Sequence, residues 1–533
     1  MTQRVSVIGG GAAGLATAAL MAGEGYSVDL FEQNSALGGR IGSIEEEGYR
    51  FDTGPSWYLL PEVYEHFFNL LGTTAAAELD LRDLDPAYTV FSPASQTRRA
   101  QSVTIPRGRG HVLEAFERIE GGSGSSLSRY LTSADRTREM AIDSFLYNPF
   151  TSPTSILRSE IVAALPTLAR LLGTSLERFS STAVRHPVLR QILQYPAIFL
   201  GTDPRRAPAI YHLMSALDLG DGVQYPMGGF RTIVDALVRL VNAAGVRVHT
   251  DATVRHISSL AHRGRHRKVS GLAWTDQEGR HHDHHCDLVV SAADLHHTET
   301  QLLDDVDQSF PESWWEKVTS GPGAILVFLG VEGEVPQLPH HSLFFTDDWS
   351  ANFDDIFGPH QKISSPASTY VCKPSHTDPT LAPHDHENLF ILIPVPADVG
   401  LGAGGSDGRG DARIERAADR AIDQIADWAG IPDLRDRIRF RQTQGPTDFS
   451  RSYNSWLGGM LGPAHTLRQS AMFRQQNVSR KVEGLYYAGA TTAPGVGVPM
   501  CLISAELVLK HIRGDSSPGP LPVDGSRRTS ADS

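Results

Sequence analysis

Short apolar runs bounded by glycine alternate along the chain with longer stretches of helical spacing, and their order predicts an α/β protein. The first run, Val5, Val7 and Ile8, stops at Gly9-Gly10-Gly11, as a buried strand should. Ala12 to Ala22 follows as a helix of small residues, and Tyr26 to Phe31 as a second strand ending at Glu32. Tyr49 and Phe51 alternate with polar neighbours and predict a short strand, ended by the Gly54-Pro55 turn. Pro61 to Leu71 has the spacing of an amphipathic helix, and Leu79 to Ile105 reads as β-hairpin material. Glu120 to Ser126 looks superficially like a phosphate loop but lacks a Lys-Ser/Thr ending and a preceding strand, so it reads as a loop before a helix at Leu127.

Ala141 to Leu219 is mostly helical in pattern and unusually apolar, which fits either a surface dipping into a bilayer or a helical subdomain with a buried face. Tyr225 to Phe230 is a turn leading into a helix over Thr232 to Ala244. Strands follow at Gly245 to His249, Ala252 to Ile257, Val269 to Thr275 and Leu288 to Ser291, and they read as a return to the first domain. His281, His282, His284 and His285 fall between two of these strands in a polar stretch that suits a solvated hairpin tip better than a metal site. Ala324 to Leu329 and Leu389 to Val395 predict further strands, Gly400 to Gly410 a flexible linker, and Ala412 to Ala429 an amphipathic helix. Gly484 to Pro499 is a short strand running into a glycine-proline turn, Cys501 to Arg513 a closing helix, and the Ser-, Pro- and Gly-rich remainder after Gly514 a disordered tail.

Composition narrows the picture. At 533 residues the chain is too long for one core, and its 40% hydrophobic and 20% charged content is that of a soluble globular protein. A net charge of -13 argues against nucleic acid as a partner. Cys286, Cys372 and Cys501 lie far apart, fit a reducing cytosol and offer no cysteine-based metal site. A strand directly at the N-terminus leaves no room for a signal peptide, and without an apolar run of eighteen residues no transmembrane helix is expected.

The candidate chemistry begins at Gly9, Gly11 and Gly14, which form G-x-G-x-x-G between a strand and a helix, with Glu32 at the distance of a ribose-binding acid. Gly9 permits the tight turn, Gly11 lets a pyrophosphate approach the backbone, and Gly14 lets helix and strand pack closely. The motif fits NAD and FAD alike. Gly38-Gly39-Arg40, just beyond the acid, would bring further donors to a diphosphate and leans towards FAD.

Together with Gly48-to-Trp57 (GYRFDTGPSW), the turn at Tyr225 to Phe230, Gln469 to Arg474 and the closing Gly484 to Met500, these motifs resemble the bacterial phytoene desaturase family of carotenoid desaturases, within the FAD-dependent amine oxidase-like flavoproteins. The resemblance runs over roughly residues 3 to 513. It implies a discontinuous Rossmann-type FAD-binding domain (1–90, 222–300 and 479–514), a helical region at 91–221 that docks on a membrane, a substrate domain at 301–478 and a tail at 515–533. Carried over by position, Gly39 and Arg40 join Gly9, Gly11, Gly14 and Glu32 around the ADP half. Gly54 and Pro55 lie near the isoalloxazine ring, and Val254 meets the adenine through its backbone. Gly489, Ala490, Val496, Gly497, Val498 and Pro499 close over the ribityl chain and flavin. Thr491 and Ala493 depart from the family, which often has Gly or Ser and a His there, so a histidine's role at that turn is lost.

The implied reaction is stepwise desaturation of phytoene to lycopene, on FAD, by an enzyme lying peripherally on the cytoplasmic face of the cell membrane. The membrane follows from the substrate, because at about 0.8 kcal/mol per CH₂ a carotenoid would pay tens of kcal/mol to enter water. Phe145 to Leu172 is the expected docking surface. Rival readings are another carotenoid-modifying flavoenzyme (a later desaturase, an oxygenase or an isomerase), an amine oxidase, and a non-catalytic escort protein of the same fold. No proton acceptor and no metal ligand set stands out.

Overall fold

Val5, Val7 and Ile8 lie in the middle of a parallel sheet whose five strands run Leu485–Tyr487, Leu288–Ser291, Arg4–Ile8, Ser27–Phe31 and Arg247–His249. The computed structural model describes residues 2–94, 101–151, 159–262 and 267–523. Val7 pairs with Val290 on one side and Leu30 on the other, all three buried, as expected of parallel strands covered on both faces. Helix Ala12–Gly23 covers one face and is itself buried through Met21. Its small residues let the closing helix, Val498–Arg513, pack directly on it. Both ends of the chain thus build one layer.

A second, four-stranded sheet contains Thr253–Ala261, Arg267–Thr275, His281–His285 and Val482–Glu483. The histidines therefore form a strand, not the hairpin tip expected from their polarity. Alternation explains it: His282 stacks on Trp274 at 4.3 Å and His284 meets the edge of Phe31 at 5.3 Å, while His281 and His285 face solvent.

The largest sheet orders Ile438–Gln444, Gly323–Glu332, His386–Val395, Thr369–Cys372, His341–Phe344, Tyr88–Ser92 and Gln101–Ile105. Along Gly323–Glu332, Ile325, Val327 and Leu329 pack with Ile414, Ala418 and Ile422 of helix Ala412–Ala429, while Leu326 and Phe328 face the opposite layer. Both faces are buried, which accounts for the unbroken apolar run. Of the hairpin expected over Leu79 to Ile105, only Tyr88–Ser92 and Gln101–Ile105 pair, and Leu81–Asp83 pairs instead with Gln224–Pro226.

Three further expectations are corrected. The helix expected from Leu127 begins at Ser123, where the Glu117 carboxylate accepts the N–H groups of Gly122 and Gly124 at 2.7 and 2.8 Å. Gly400 to Gly410 is not a free linker: Thr443 donates to Gly405 O and Asp407 to Arg441 O, each at 2.9 Å. A Cβ on Gly404 would lie 2.0 Å from Thr443 O, so glycine serves close approach here. The tail expected to be disordered is packed through its first part. Lys510 Nζ donates to Gly519 O at 2.7 Å and Leu521, 4% exposed, donates its N–H to Glu506 at 2.6 Å. Residues 524–533 lie outside the described residues.

In the helical region, residues 152–158 and the side chains of 159–163 lie outside the described residues. Helix Ser159–Leu172 buries Leu168 and Leu171 and exposes Leu165 and Leu172. No helix among the described residues is long and apolar enough to cross a membrane.

Candidate active site

The parallel sheet ends on one long cavity of about 900 Å³ that all the sequence-predicted site residues line except Gly14. Gly14 acts from behind. A Cβ there would lie 1.8 Å from Gly9 O, so glycine is what lets the helix start so close to the strand. Gly9 holds φ at +97° and donates to Phe31 O at 2.8 Å. Gly11 caps the helix, and with Ala12 and Ala13 at the wall the free N–H groups and positive end of its dipole face the cavity.

Glu32 is buried beside this turn. Its Oε2 accepts from Gly10 N–H at 2.7 Å, and its Oε1 from the Asn34 backbone and side chain at 2.8 and 2.7 Å. Gly39, at φ +56°, sits so close that its Cβ would be 3.2 Å from Gly11 Cα. Arg40 donates from Nη2 to Ser455 Oγ at 2.9 Å and lies 5.6 Å from the Tyr453 ring centre, while its buried Nε has no partner. A Cβ on Gly54 would lie 2.1 Å from Arg40 O, so the two segments fit only through a glycine. Val254 reaches the same end from its strand. Asp294, which the sequence did not single out, lies there too. Burial pushes its carboxyl up, and it accepts the N–H groups of His296 at 3.0 Å and Trp456 at 3.4 Å.

The closing segment forms the opposite wall. Gly489, Ala490 and Val496 to Pro499 line it, with Gly495 at φ +150° and Gly497 at φ +117°. Arg474, 1% exposed, braces this turn from behind by donating to Ala490 O at 2.7 Å and Thr492 O at 2.9 Å. Asn477 adds bonds to Tyr487 O and Ala493 O, both at 3.0 Å.

Beyond the turn the walls become apolar and aromatic: Trp57, Phe199, Leu343, Phe345 and Phe390. A polar knot lies among them, where Ser56 Oγ lies 2.6 Å from the Tyr370 hydroxyl and that hydroxyl 2.8 Å from His341 Nδ1. Burial holds His341 well below its ordinary pKa. His340, His341 and Cys372 are the one trio with metal-ligand spacing among the described residues. The cavity ends at lining residues that are also exposed: Leu165, Leu172, Leu467, Met472 and, at 62%, Phe473.

The chain matches the flavin containing amine oxidoreductase family over residues 12–508. It belongs to that family. It is an FAD-dependent oxidoreductase, and its relatives share nearly its whole length. A carotenoid 3,4-desaturase of Haloarcula japonica is 39% identical, covering 95% of this chain and 97% of the relative. A phytoene desaturase of Fusarium fujikuroi is 32% identical over 96% of this chain and 90% of its own. A Staphylococcus aureus 4,4'-diapophytoene desaturase is 27% identical over 97% and 100%. Among solved structures, an oxidoreductase from Methanosarcina mazei has a TM-score of 0.61 at 16% identity, covering 95% of this chain and all of that one. A putrescine oxidase has 0.60 at 13%, over 96% and 99%. At such identities these two establish the fold alone.

The flavoenzyme's cavity fits its cofactor. The unpaired Nε of Arg40 and the helix N–H groups form a donor set for a diphosphate, and the glycine contacts leave a cradle that side chains would fill. The family motif carried no signal for the far end of the cavity. Leu467, Met472 and Phe473 join Leu165 and Leu172 at the rim only through the fold. Leu168 and Leu171, inside the expected docking surface, are 6% and 2% exposed: Leu168 lines the cavity and Leu171 packs into the buried core.

Proposed function

We propose that this flavoenzyme desaturates carotenoids. The observation that carries the reading is continuity: the nucleotide cradle opens into an apolar cavity whose far end is an exposed apolar rim. A long hydrocarbon suits such a path, and the similarity to three carotenoid desaturases supports it. An amine substrate would need polar recognition along the same walls.

In this reading Gly9, Gly11 and the helix amides would hold the diphosphate with Arg40, Glu32 would accept from the ribose, and Val254 would lie near the adenine. Gly54, Pro55, Gly489, Ala490 and Val496 to Pro499 would surround the isoalloxazine and ribityl chain. Bound FAD supplies the two-electron oxidant that no side chain provides. Trp57, Phe199, Phe345 and Phe390 exclude water and fix the hydrocarbon's path. Ser56, the Tyr370 hydroxyl and His341 Nδ1 bond to one another, while the buried Nε2 of His341 has no partner among the described residues.

For the bond that is made, the sequence motifs favour phytoene taken stepwise to lycopene. The 39% identity to the Haloarcula japonica enzyme favours a second reading, desaturation at a 3,4 position. FAD-loaded protein given phytoene or lycopene in liposomes, with products separated by chromatography, decides. Consumption of phytoene supports the first and of lycopene alone the second, while no conversion of either overturns carotenoid desaturation. We further propose that the enzyme works peripherally at the cytoplasmic face of the cell membrane, its apolar rim taking substrate from the bilayer, since passage through water would cost a carotenoid tens of kcal/mol at about 0.8 kcal/mol per CH₂.

A further inference from the structure

We propose that His465 is the proton acceptor of the reaction, a reading that rests on the desaturation proposed above. Its tautomer is set by its partner. Nδ1 lies 2.8 Å from Leu200 O, and a carbonyl can only accept, so the ring proton is on Nδ1 and the lone pair on Nε2. The side chain is 4% exposed to solvent yet lines the cavity. Its place is the closing turn. A Cβ on Gly495 would lie 2.5 Å from Nε2 but 3.4 and 3.6 Å from Cε1 and Cδ2, so the lone-pair nitrogen is the ring atom nearest the turn, and glycine leaves it room. No donor among the described residues bonds to Nε2.

Other acceptors along the cavity are committed or misplaced. Glu32 is held by Gly10 and Asn34, and Asp294 by His296 and Trp456. His297 sits on helix Leu295–Gln301, at the nucleotide end with Asp294. His341 stands behind Tyr370 and is not among the residues that line the cavity. The groups facing His465 are the Arg474 guanidinium and the Tyr211 ring, 5.9 Å centre to centre. Burial and then Arg474 hold its pKa well below the ordinary value, so the lone pair is free at working pH.

A weak base suffices, because a C–H beside developing allylic positive charge is strongly acidic. One hydrogen leaves its carbon with the bonding electron pair, so the substrate is oxidised and FAD reduced by two electrons. The proton on the neighbouring carbon passes to Nε2, and its former bonding pair becomes the new π bond. The closing turn, which has no histidine of its own, thus receives one from a separate segment.

The test uses the holoenzyme, His465→Asn, His465→Gln and His465→Ala, with the carotene that the unaltered enzyme converts, in liposomes. FAD content and visible spectrum should be unchanged, the anaerobic rate of flavin bleaching should fall about 10²–10⁴-fold, and imidazole should restore part of the rate of His465→Ala. The acid limb of the rate–pH profile should vanish in the variants. If the variants lose FAD, histidine ¹⁵N resonances of the unaltered holoenzyme decide, with Nε2 expected unprotonated and shifted by a bound, fully conjugated carotene. A rate within about threefold of the unaltered enzyme with FAD retained, or a proton on Nε2, overturns the assignment of His465 alone. An unaltered enzyme that converts no carotene overturns the desaturation reading as well.

Discussion

At the nucleotide end of the cavity the backbone does the work: Gly9, Gly14, Gly39 and Gly54 admit close approaches, and amide N–H groups face the cavity. At the other end side chains do it, drawn from segments as distant as Trp57, Leu165, Phe345 and Phe473. The two ends also treat buried acids differently. Glu32 is solvated by N–H donors of its own turn, whereas Asp218, behind the apolar wall, accepts the Tyr88 and Tyr195 hydroxyls at 3.0 and 2.7 Å. A backbone-built site is intolerant, while a side-chain-built site spreads its specificity over many small contributions.

That contrast can be broken or sharpened by substitution. The largest effect belongs to Gly14→Ala, whose Cβ would meet Gly9 O at 1.8 Å. The purified variant should be colourless, with FAD content down more than about tenfold. Arg40→Met removes the charged donor but not the turn. Loss of a charge-assisted bond worth roughly 1.5–3 kcal/mol should weaken FAD binding about 10–100-fold, read by titrating the apoprotein. At the other end, Leu165→Asp combined with Phe473→Asp should leave FAD binding intact and reduce co-flotation with liposomes severalfold, because both side chains stand at the exposed rim. Unchanged flotation would remove the rim from the membrane reading.

The smallest effect is on stability. Burial pushes Asp218 from 3.8 up to about 6, so the folded state holds its proton where the unfolded state has lost it. Its contribution is fully present below pH 3.8 and is lost as pH rises through about 6. Asp218→Asn should therefore gain stability relative to the unaltered protein across that window, measured by denaturant unfolding at pH 4 and pH 7.

Legibility in the sequence followed the same division. Val5 to Arg40 carries its turn, helix and acid in one continuous stretch, and helix Ala412–Ala429 matches its predicted span because its apolar spacing is regular. The strand His281–His285 was hidden because its inward positions are histidines packing on aromatic rings, not aliphatic residues. Gly400 to Gly410 resembles a linker in sequence because glycine serves close approach as well as freedom. His465 carried no local signal: a lone histidine gains meaning only where folding sets it against Gly495. The rim was half visible, since periodicity in Phe145 to Leu172 shows an apolar face but not that Leu168 lines the wall and Leu171 is buried in the core while Leu165 is exposed.

In the proposed function the cradle and the apolar path form one site for a carotenoid. Anaerobic mixing of the FAD-loaded enzyme with liposomes containing phytoene or lycopene, followed by flavin absorbance, tests it most directly. Bleaching by a carotene, with a more desaturated product recovered and no bleaching by primary amines or putrescine, is the predicted result. Bleaching by amines, with the flavin unchanged in the presence of either carotene, would contradict it.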